Sequence, residues 1–528
     1  MLYGNEKNPG SLLKSAALTA LMVLVLAGCG GGGGNSGATF PASTGQSPLT
    51  PAPLPLPPDI IASSALSANM CVAPRTGIDP YTGQRYPDRP GNLEQEKNWV
   101  RAWIDETYLW YDEIPSTIRT FTYASPQSLF ADLHTTALTP SGKPRDRFHF
   151  IYDTAVWQAL SQSGIEAGYG FELSIIKPQV PRELRVAYTE PGTPAARAGI
   201  GRGAKIVGVD GIDIVLNPGV EALNAALFPS AAGQSHTFTL QQPDGSVRTV
   251  VLVSAAITKV PVQNVRTIDT PTGKVGYLLF NDHIATSEAQ LVAAVTQLKA
   301  QGVQDLVIDL RYNGGGLLAI ASELAFMVAG PQATTGKVFE KLEFNRKNPF
   351  QLTDADTVTP FYPRSLGFSG PADQPLPQLG LSRVTVLTGP DTCSASESII
   401  NGLRGVNVQV NLIGNATCGK PYGFLPQDNC GTTYFAIQFK GVNNQGVGDY
   451  ADGIEPTCVA PDDFSHALGD PAEARLAAAL SFRATGVCPP VAAAFAKAGV
   501  LGSGEPLVSG KSPGRTGRFL RTGALSLR

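Results

Sequence analysis

Ser394, Lys420 and a run of glycines from Gly314 to Gly316 are the residues of this chain whose types and order suit covalent chemistry. The stretch Arg383 to Phe424 carries the first two. Within it, Val384-Thr385-Val386-Leu387 is short, apolar and β-branched, which predicts a buried strand. Ser394-Ala395-Ser396-Glu397 opens a helical pattern that continues through Ile399, Ile400 and Leu403. Val408 to Ile413 predicts a second strand, and the turn after it holds Thr417, Gly419 and Lys420. A serine at a strand-to-helix turn can be presented as a nucleophile beside backbone N–H groups. A lysine kept out of water has a lowered pKa and can take the serine proton. In a parallel sheet the two loops lie on the same edge. The same residues have plainer readings. Ser394 with Glu397 fits a helix capping box, and a loop lysine is ordinarily solvated.

The glycines follow another strand pattern. Asp305 to Leu317 reads DLVIDLRYNGGGL: a buried strand over Leu306 to Leu310, then Asn313-Gly314-Gly315-Gly316, then a helical run from Leu317 to Val328. Glycines ahead of a helix let bare N–H groups approach a ligand and face developing negative charge. A flexible turn would look the same. This loop is not a Walker loop, since no Gly-Lys-Ser/Thr follows it, and it is not a GxGxxG fingerprint.

Taken in this order, the LxxDLRxNxGG, TCSASES and TxGK motifs resemble the carboxy-terminal processing, or tail-specific, proteases. The resemblance spans Leu93 to Thr485. It implies an α/β fold: a crotonase-like catalytic domain with an inserted β-rich PDZ domain and an N-terminal helical segment. It also implies a serine–lysine dyad, with Ser394 as nucleophile and Lys420 as base. The N–H of Ala395 and one from Gly315 or Gly316 would hold the oxyanion. Glu397 would cap, and Thr417 would orient Lys420. There are departures. Gly405 stands where some members carry an Asp, and Phe424 stands where many carry a Gln. The third catalytic partner is therefore unassigned.

These motifs need elements to position them, and the length of 528 residues allows more than one domain. A net charge of −3 gives no nucleic-acid footprint. Residues 1–29 read as a lipoprotein signal peptide. Lys7 and Lys14 precede an apolar run too short to span a membrane, and Leu26-Ala27-Gly28-Cys29 resembles a lipobox with Cys29 as the lipidated residue. Ordinary secretory cleavage is the alternative, and either route leads out of the cytoplasm. By the lipobox resemblance the chain would lie on the periplasmic side of a bacterial envelope, with Gly30 favouring the outer over the inner membrane. Residues 30–70 are expected to be a Gly/Pro-rich tether. Residues 71–160 form the N-terminal helical segment, with a helix over Leu93 to Ile114 and Trp99, Trp103 and Trp110 in its core face. His149 is read as structural.

Residues 165–258 read as short strands with turns at Asp210-Gly211 and Asp244-Gly245. This segment resembles a PDZ domain, with Gly168, Tyr169, Gly170 and Phe171 as its carboxylate-binding loop; a β-rich packing module is the other reading. Such a domain adds a peptide strand to a sheet edge. Residues 262–488 are the expected catalytic domain, where alternating strands and helices argue a mostly parallel sheet. Within it, Phe339 to Pro377 is read as an irregular loop, and Gly431 to Asn444 as one late strand. A basic tail over 489–528 is expected to be disordered.

Of the seven cysteines, six remain once Cys29 is set aside, which in an oxidising compartment suggests disulfides. Cys393 and Cys418 flank Ser394 and Lys420. Joined to each other or to Cys430 and Cys458, they would brace the active-site loops. No CxxC or HxxxH spacing supports zinc, and no cofactor is expected. The function so implied is a serine endopeptidase acting on exported proteins near C-termini recruited by the PDZ domain. The rivals are a catalytically silent, membrane-tethered peptide-binding scaffold and an esterase, the latter without the GxSxG elbow that chemistry favours.

Overall fold

The computed structural model describes residues 61–490 apart from 218 and 220. The leader, Cys29, the polyglycine run and the tail beyond 490 lie outside the described residues. No helix among the described residues is long and apolar enough to cross a membrane.

Six strands make the central sheet. In spatial order they are Val262–Thr270, Gly273–Phe280, Asp305–Asp309, Arg383–Thr388, Gln409–Gly414 and Cys458–Val459. The first pair is antiparallel and the rest are parallel. Parallel neighbours need long crossovers, and these contain the helices Ser287–Ala300, Leu318–Thr334 and Ala395–Gly405. Asp305–Asp309 is buried throughout, as a strand covered on both faces must be.

The period-2 alternation of the strands sorts their side chains into two cores. Leu278, Phe280, Leu306, Ile308, Val384, Val386 and Leu412 join the core under the crossover helices. Tyr277, Leu279, Val307, Leu387 and Ile413 pack on the opposite face with Leu476 and Ala479 of the closing helix Ala474–Thr485. Each fully buried aliphatic side chain contributes roughly 1.5–3 kcal/mol.

The N-terminal helix runs over Leu93–Thr107 and not to Ile114. Asn92 and Gln95 close a capping box at its start. It stops because Tyr108 turns extended and the N–H of Leu109 donates to Ile437 O at 2.8 Å, a tertiary bond that replaces the next helical one. Trp99 and Trp103 stack at 5.5 Å in the core. Structure also begins inside the stretch expected as a tether. Ser64–Leu66 forms a 3-10 turn whose Ser64 N–H donates to Glu106 at 2.8 Å, and Met70–Cys71 pairs with Arg89–Pro90.

Two further expectations are corrected. The segment read as one late strand is two, Thr432–Phe435 and Phe439–Val442, which enter different sheets. Thr432–Phe435 pairs with Phe150–Asp153, and Phe439–Val442 with Val338–Phe344. The Pro-rich stretch read as irregular therefore begins with a strand, and it contains another at Val358–Pro360. Val338–Phe344 is held by the distant strand Phe439–Val442 and in turn holds Val358–Pro360.

Residues 171–253 form a second six-stranded sheet around a core of their own, which includes Tyr169, Leu173, Val186, Ile206, Leu223 and Phe238. Asp210 and Gly211 have φ of 50° and 77°, the left-handed pair a tight two-residue hairpin needs. Arg202 links this sheet to the segment of the central sheet: it donates to Tyr312 Oη at 2.7 Å and to Asp462 at 2.6 Å.

Candidate active site

Ser394 stands at the N-terminus of the helix Ala395–Gly405, directly after the strand Arg383–Thr388 and its loop. Its φ of 60° and ψ of −116° are strained for a non-glycine residue, at a cost of roughly 1–3 kcal/mol that surrounding contacts must offset. Those contacts are specific. The N–H of Cys393 and the hydroxyl of Ser396 both donate to Asn313 O, each at 3.0 Å. Thr392 Oγ1 donates to Leu310 O at 2.8 Å. Cys393 is disulfide-bonded to Cys418. Ser394 is fully buried, and its Oγ has no hydrogen-bond partner among the described residues.

Glu397 gathers the site. Its Oε2 accepts from the N–H of Ser394 and from the N–H of Lys420, both at 2.8 Å. Its Oε1 accepts from Gly419 N–H at 2.8 Å and from Thr417 Oγ1 at 2.5 Å. One carboxylate oxygen thus holds the backbone of both candidate catalytic residues. Burial pushes the Glu397 carboxyl pKa up, while these hydrogen bonds pull it down. All four partners are donors, so the arrangement suits the ionised form. Thr417 is tied to Glu397 and accepts from Ile454 N–H at 2.7 Å, so it reaches Lys420 through the carboxylate.

Lys420 is fully buried. Its Nζ lies 4.2 Å from the centre of the Phe424 ring and 4.7 Å from that of Phe148. Desolvation brings its pKa from 10.5 to about 7, against the charges of Asp146 and Glu397, which favour the ammonium. The group can therefore hold or release a proton near neutrality.

The glycine loop lies against the serine. A Cβ on Gly315 would sit 2.8 Å from Cys393 O and 2.9 Å from both Ala395 N and Ser394 Cβ, and its φ is +100°. Gly315 N–H is taken by Asn313 Oδ1 at 2.9 Å. Among the described residues, the N–H groups of Gly316 and Ala395 donate to no protein acceptor. Of the two glycines named from the motif, Gly316 is thus the one with a donor to offer. Asn313 Oδ1 also meets His283 Nδ1 at 3.0 Å, and Asn313 Nδ2 donates to Phe280 O at 2.9 Å. Since Oδ1 accepts, His283 carries its proton on Nδ1. Burial lowers its pKa to about 4.

Asn313, His283, Arg147, Phe148 and Phe424 belong to this neighbourhood and were given no site role from the sequence, Asn313 appearing there only within the glycine motif and Phe424 only in place of a Gln. Asn313 sat inside the glycine motif and could have been found. The others carry no local signal. His149 packs on the Phe130 ring at 3.8 Å and bonds Phe130 O at 2.8 Å through Nε2. Tyr169 is buried beneath its domain, its hydroxyl donating to Ala226 O at 2.9 Å, with Phe171 opening the edge strand Phe171–Lys177. The remaining cysteines pair as Cys71–Cys430 and Cys458–Cys488.

Comparison with known proteins adds a family. Residues 274–459 match the model of peptidase family S41, and residues 95–148 match that of the peptidase S41 N-terminal domain. A carboxyl-terminal-processing protease of Picosynechococcus sp. is 31% identical over 263 residues, covering 49% of this chain and 56% of that protein. The namesake of Synechocystis sp. is 24% identical over 264 residues, 49% of this chain and 54% of that one. The chain thus spans about half the length of these relatives. An S41 protease structure from Bacteroides fragilis superposes with a TM-score of 0.56 at 24% identity, covering 76% of this chain and 100% of that one, which shows a shared fold.

Proposed function

We propose that this chain is a serine endopeptidase of the S41 kind, hydrolysing exported proteins near C-termini through a Ser394–Lys420 dyad. The observation that carries the reading is the shared carboxylate oxygen. Glu397 Oε2 binds the backbone N–H of both residues, and the lysine so held is buried with a pKa of about 7. Lys420, half neutral at that pH and neutral above it, takes the Oγ proton as Ser394 attacks the scissile carbonyl. The N–H groups of Ala395 and Gly316 receive the oxyanion, each such donor being typically worth ~3 kcal/mol of barrier. Lys420 returns the proton to the leaving amine, and water then hydrolyses the acyl-serine.

Residues 165–258 serve in this reading as a PDZ domain. Its support is the separate core, the edge strand Phe171–Lys177 and the helix Glu221–Leu227, with the Gly168–Phe171 loop at the head of that strand. An extended C-terminal peptide would add to the edge. Lipidation at Cys29 would hold the enzyme on the periplasmic side of the envelope, and a Cys29→Ser chain should leave the membrane fraction. The decisive assay incubates the oxidised protein with an unfolded polypeptide ending in apolar residues and follows cleavage by mass spectrometry. Loss of cleavage in Ser394→Ala and in Lys420→Ala is expected. Cleavage that survives in both would refute the dyad. Peptide binding without cleavage by the wild type would favour a silent scaffold.

A further inference from the structure

The lysine does not acquire its environment from the catalytic segment alone. Three consecutive residues of the N-terminal segment, Asp146, Arg147 and Phe148, close over it. Arg147 Nη2 donates to the carbonyls of Cys418 at 2.7 Å, Gly419 at 3.3 Å and Ala451 at 3.2 Å. Two of these carbonyls belong to the residues immediately before Lys420. The Arg147 guanidinium also lies 4.6 Å from the centre of the Phe148 ring, the ring that covers Lys420 Nζ. Asp146 is buried beneath them. It accepts from Tyr108 Oη at 2.6 Å and from Phe148 N–H at 3.0 Å, with His149 Nδ1 at 3.6 Å. Tyr108 Oη in turn accepts from Thr135 N–H at 3.2 Å, so the trio is braced by the body of the N-terminal segment.

We propose that the N-terminal segment is part of the catalytic apparatus. Arg147 is a positioning residue that clamps the Lys420 loop, and the opposed charges of Arg147 and Asp146, with the Phe148 ring, set the protonation of Lys420. This rests on the reading of Lys420 as the base. The charged groups facing the lysine are Asp146 and Arg147 from this segment and Glu397 from the helix Ala395–Gly405, and Tyr422, two residues further along, senses Arg147 and Asp146. Tyr450 and Asp452 flank Glu397 and Arg147 in turn. Of these, Asp146 and Glu397 favour the ammonium, and Arg147 disfavours it. The two neighbours in sequence therefore push the lysine in opposite directions, so the effect of each charge can be read separately.

The test uses the full chain, oxidised, with lysine labelled by 13C at Cε. The Lys420 resonance is assigned by its loss in Lys420→Met. Titration by NMR is compared with the pH profile of kcat/KM for wild type, Arg147→Gln, Asp146→Asn and Phe148→Ala. Arg147→Gln removes a like charge and should raise the Lys420 midpoint by about half to one pH unit, and Asp146→Asn should lower it by a similar amount. Phe148→Ala admits water and should raise it. In each variant the acid limb of kcat/KM should follow the NMR midpoint, so activity lost by Arg147→Gln at pH 7 returns at pH 9. Midpoints unmoved in all three, or shifted the same way by Arg147→Gln and Asp146→Asn, would overturn the proposal. A wild-type Lys420 that titrates above about 10, its ordinary range, would instead sink the base assignment itself.

Discussion

A base held in this way should leave a signature in stability, and Lys420→Met exposes it. In the folded protein burial brings the Lys420 pKa from 10.5 to about 7. The unfolded chain keeps the ordinary value. Between these two values the unfolded state binds a proton that the folded state does not, so folding stability rises with pH by about 1.4 kcal/mol per pH unit. Below pH 7 both states are protonated and the full cost of burying the ammonium persists. The total across the window is ~4–5 kcal/mol, a large share of the ~5–15 kcal/mol a domain typically has. Methionine matches the length of the lysine stem and places no charge between Phe148 and Phe424. The assay is urea unfolding of oxidised wild type and Lys420→Met at intervals from pH 7 to 10. Other titrating groups are common to both chains and cancel in the difference. The variant should be the more stable protein at pH 7, and its advantage should shrink steadily as pH rises. A stability difference flat across that range would show that the lysine is not held neutral, and the mechanism built on it would fail.

Other perturbations reach the same site from different sides. Glu397→Gln turns an NH2 group toward at least one pair of the four donors now facing the carboxylate; at roughly 1–3 kcal/mol for each orphaned group, urea unfolding should show a loss of about 2–5 kcal/mol, and a loss under ~0.5 kcal/mol would contradict the network. Gly315→Ala, with backbone atoms 2.8 and 2.9 Å from the added Cβ, should cut kcat at least ~10²-fold by displacing the glycine loop, whereas Gly370→Ala, which meets nothing within 4 Å, should leave kcat unchanged. The paired Cys393→Ser, Cys418→Ser chain opens a loop of sequence separation 25; it should lose about 3 kcal/mol in urea unfolding, and kcat should fall as the serine and lysine loops part.

Much of the fold follows from local pattern. The strands Asp305–Asp309, Arg383–Thr388 and Gln409–Gly414 fall within a residue or so of their β-branched runs. Periodicity records which face of an element is buried, and that information is carried within a dozen residues. The hairpin turns at Asp210-Gly211 and Asp244-Gly245 are legible for the same reason: backbone that requires positive φ selects its residues locally. The order of the glycine loop, the serine and the lysine is likewise written along the chain.

What tertiary structure alone decided are the relations between distant segments. Periodicity puts Trp99 and Trp103 on a core face, but does not say that Leu109 will bond Ile437 and end a helix early, or that Gly431 to Asn444 will divide between two sheets. Six cysteines invite disulfides, and only the meeting of their backbones chose Cys71–Cys430, Cys393–Cys418 and Cys458–Cys488. Glu397 reads as a helix cap in sequence, and it is one. Its second role, gathering the N–H groups of Gly419 and Lys420, depends on a strand returning beside it. Gly315 and Gly316 are alike as letters and differ because Asn313 Oδ1 reaches one N–H and not the other. Arg147 and Phe148 carry no mark of function in the sequence, because a lysine's pKa depends on what surrounds it in space, and half of that surrounding comes from the other end of the chain.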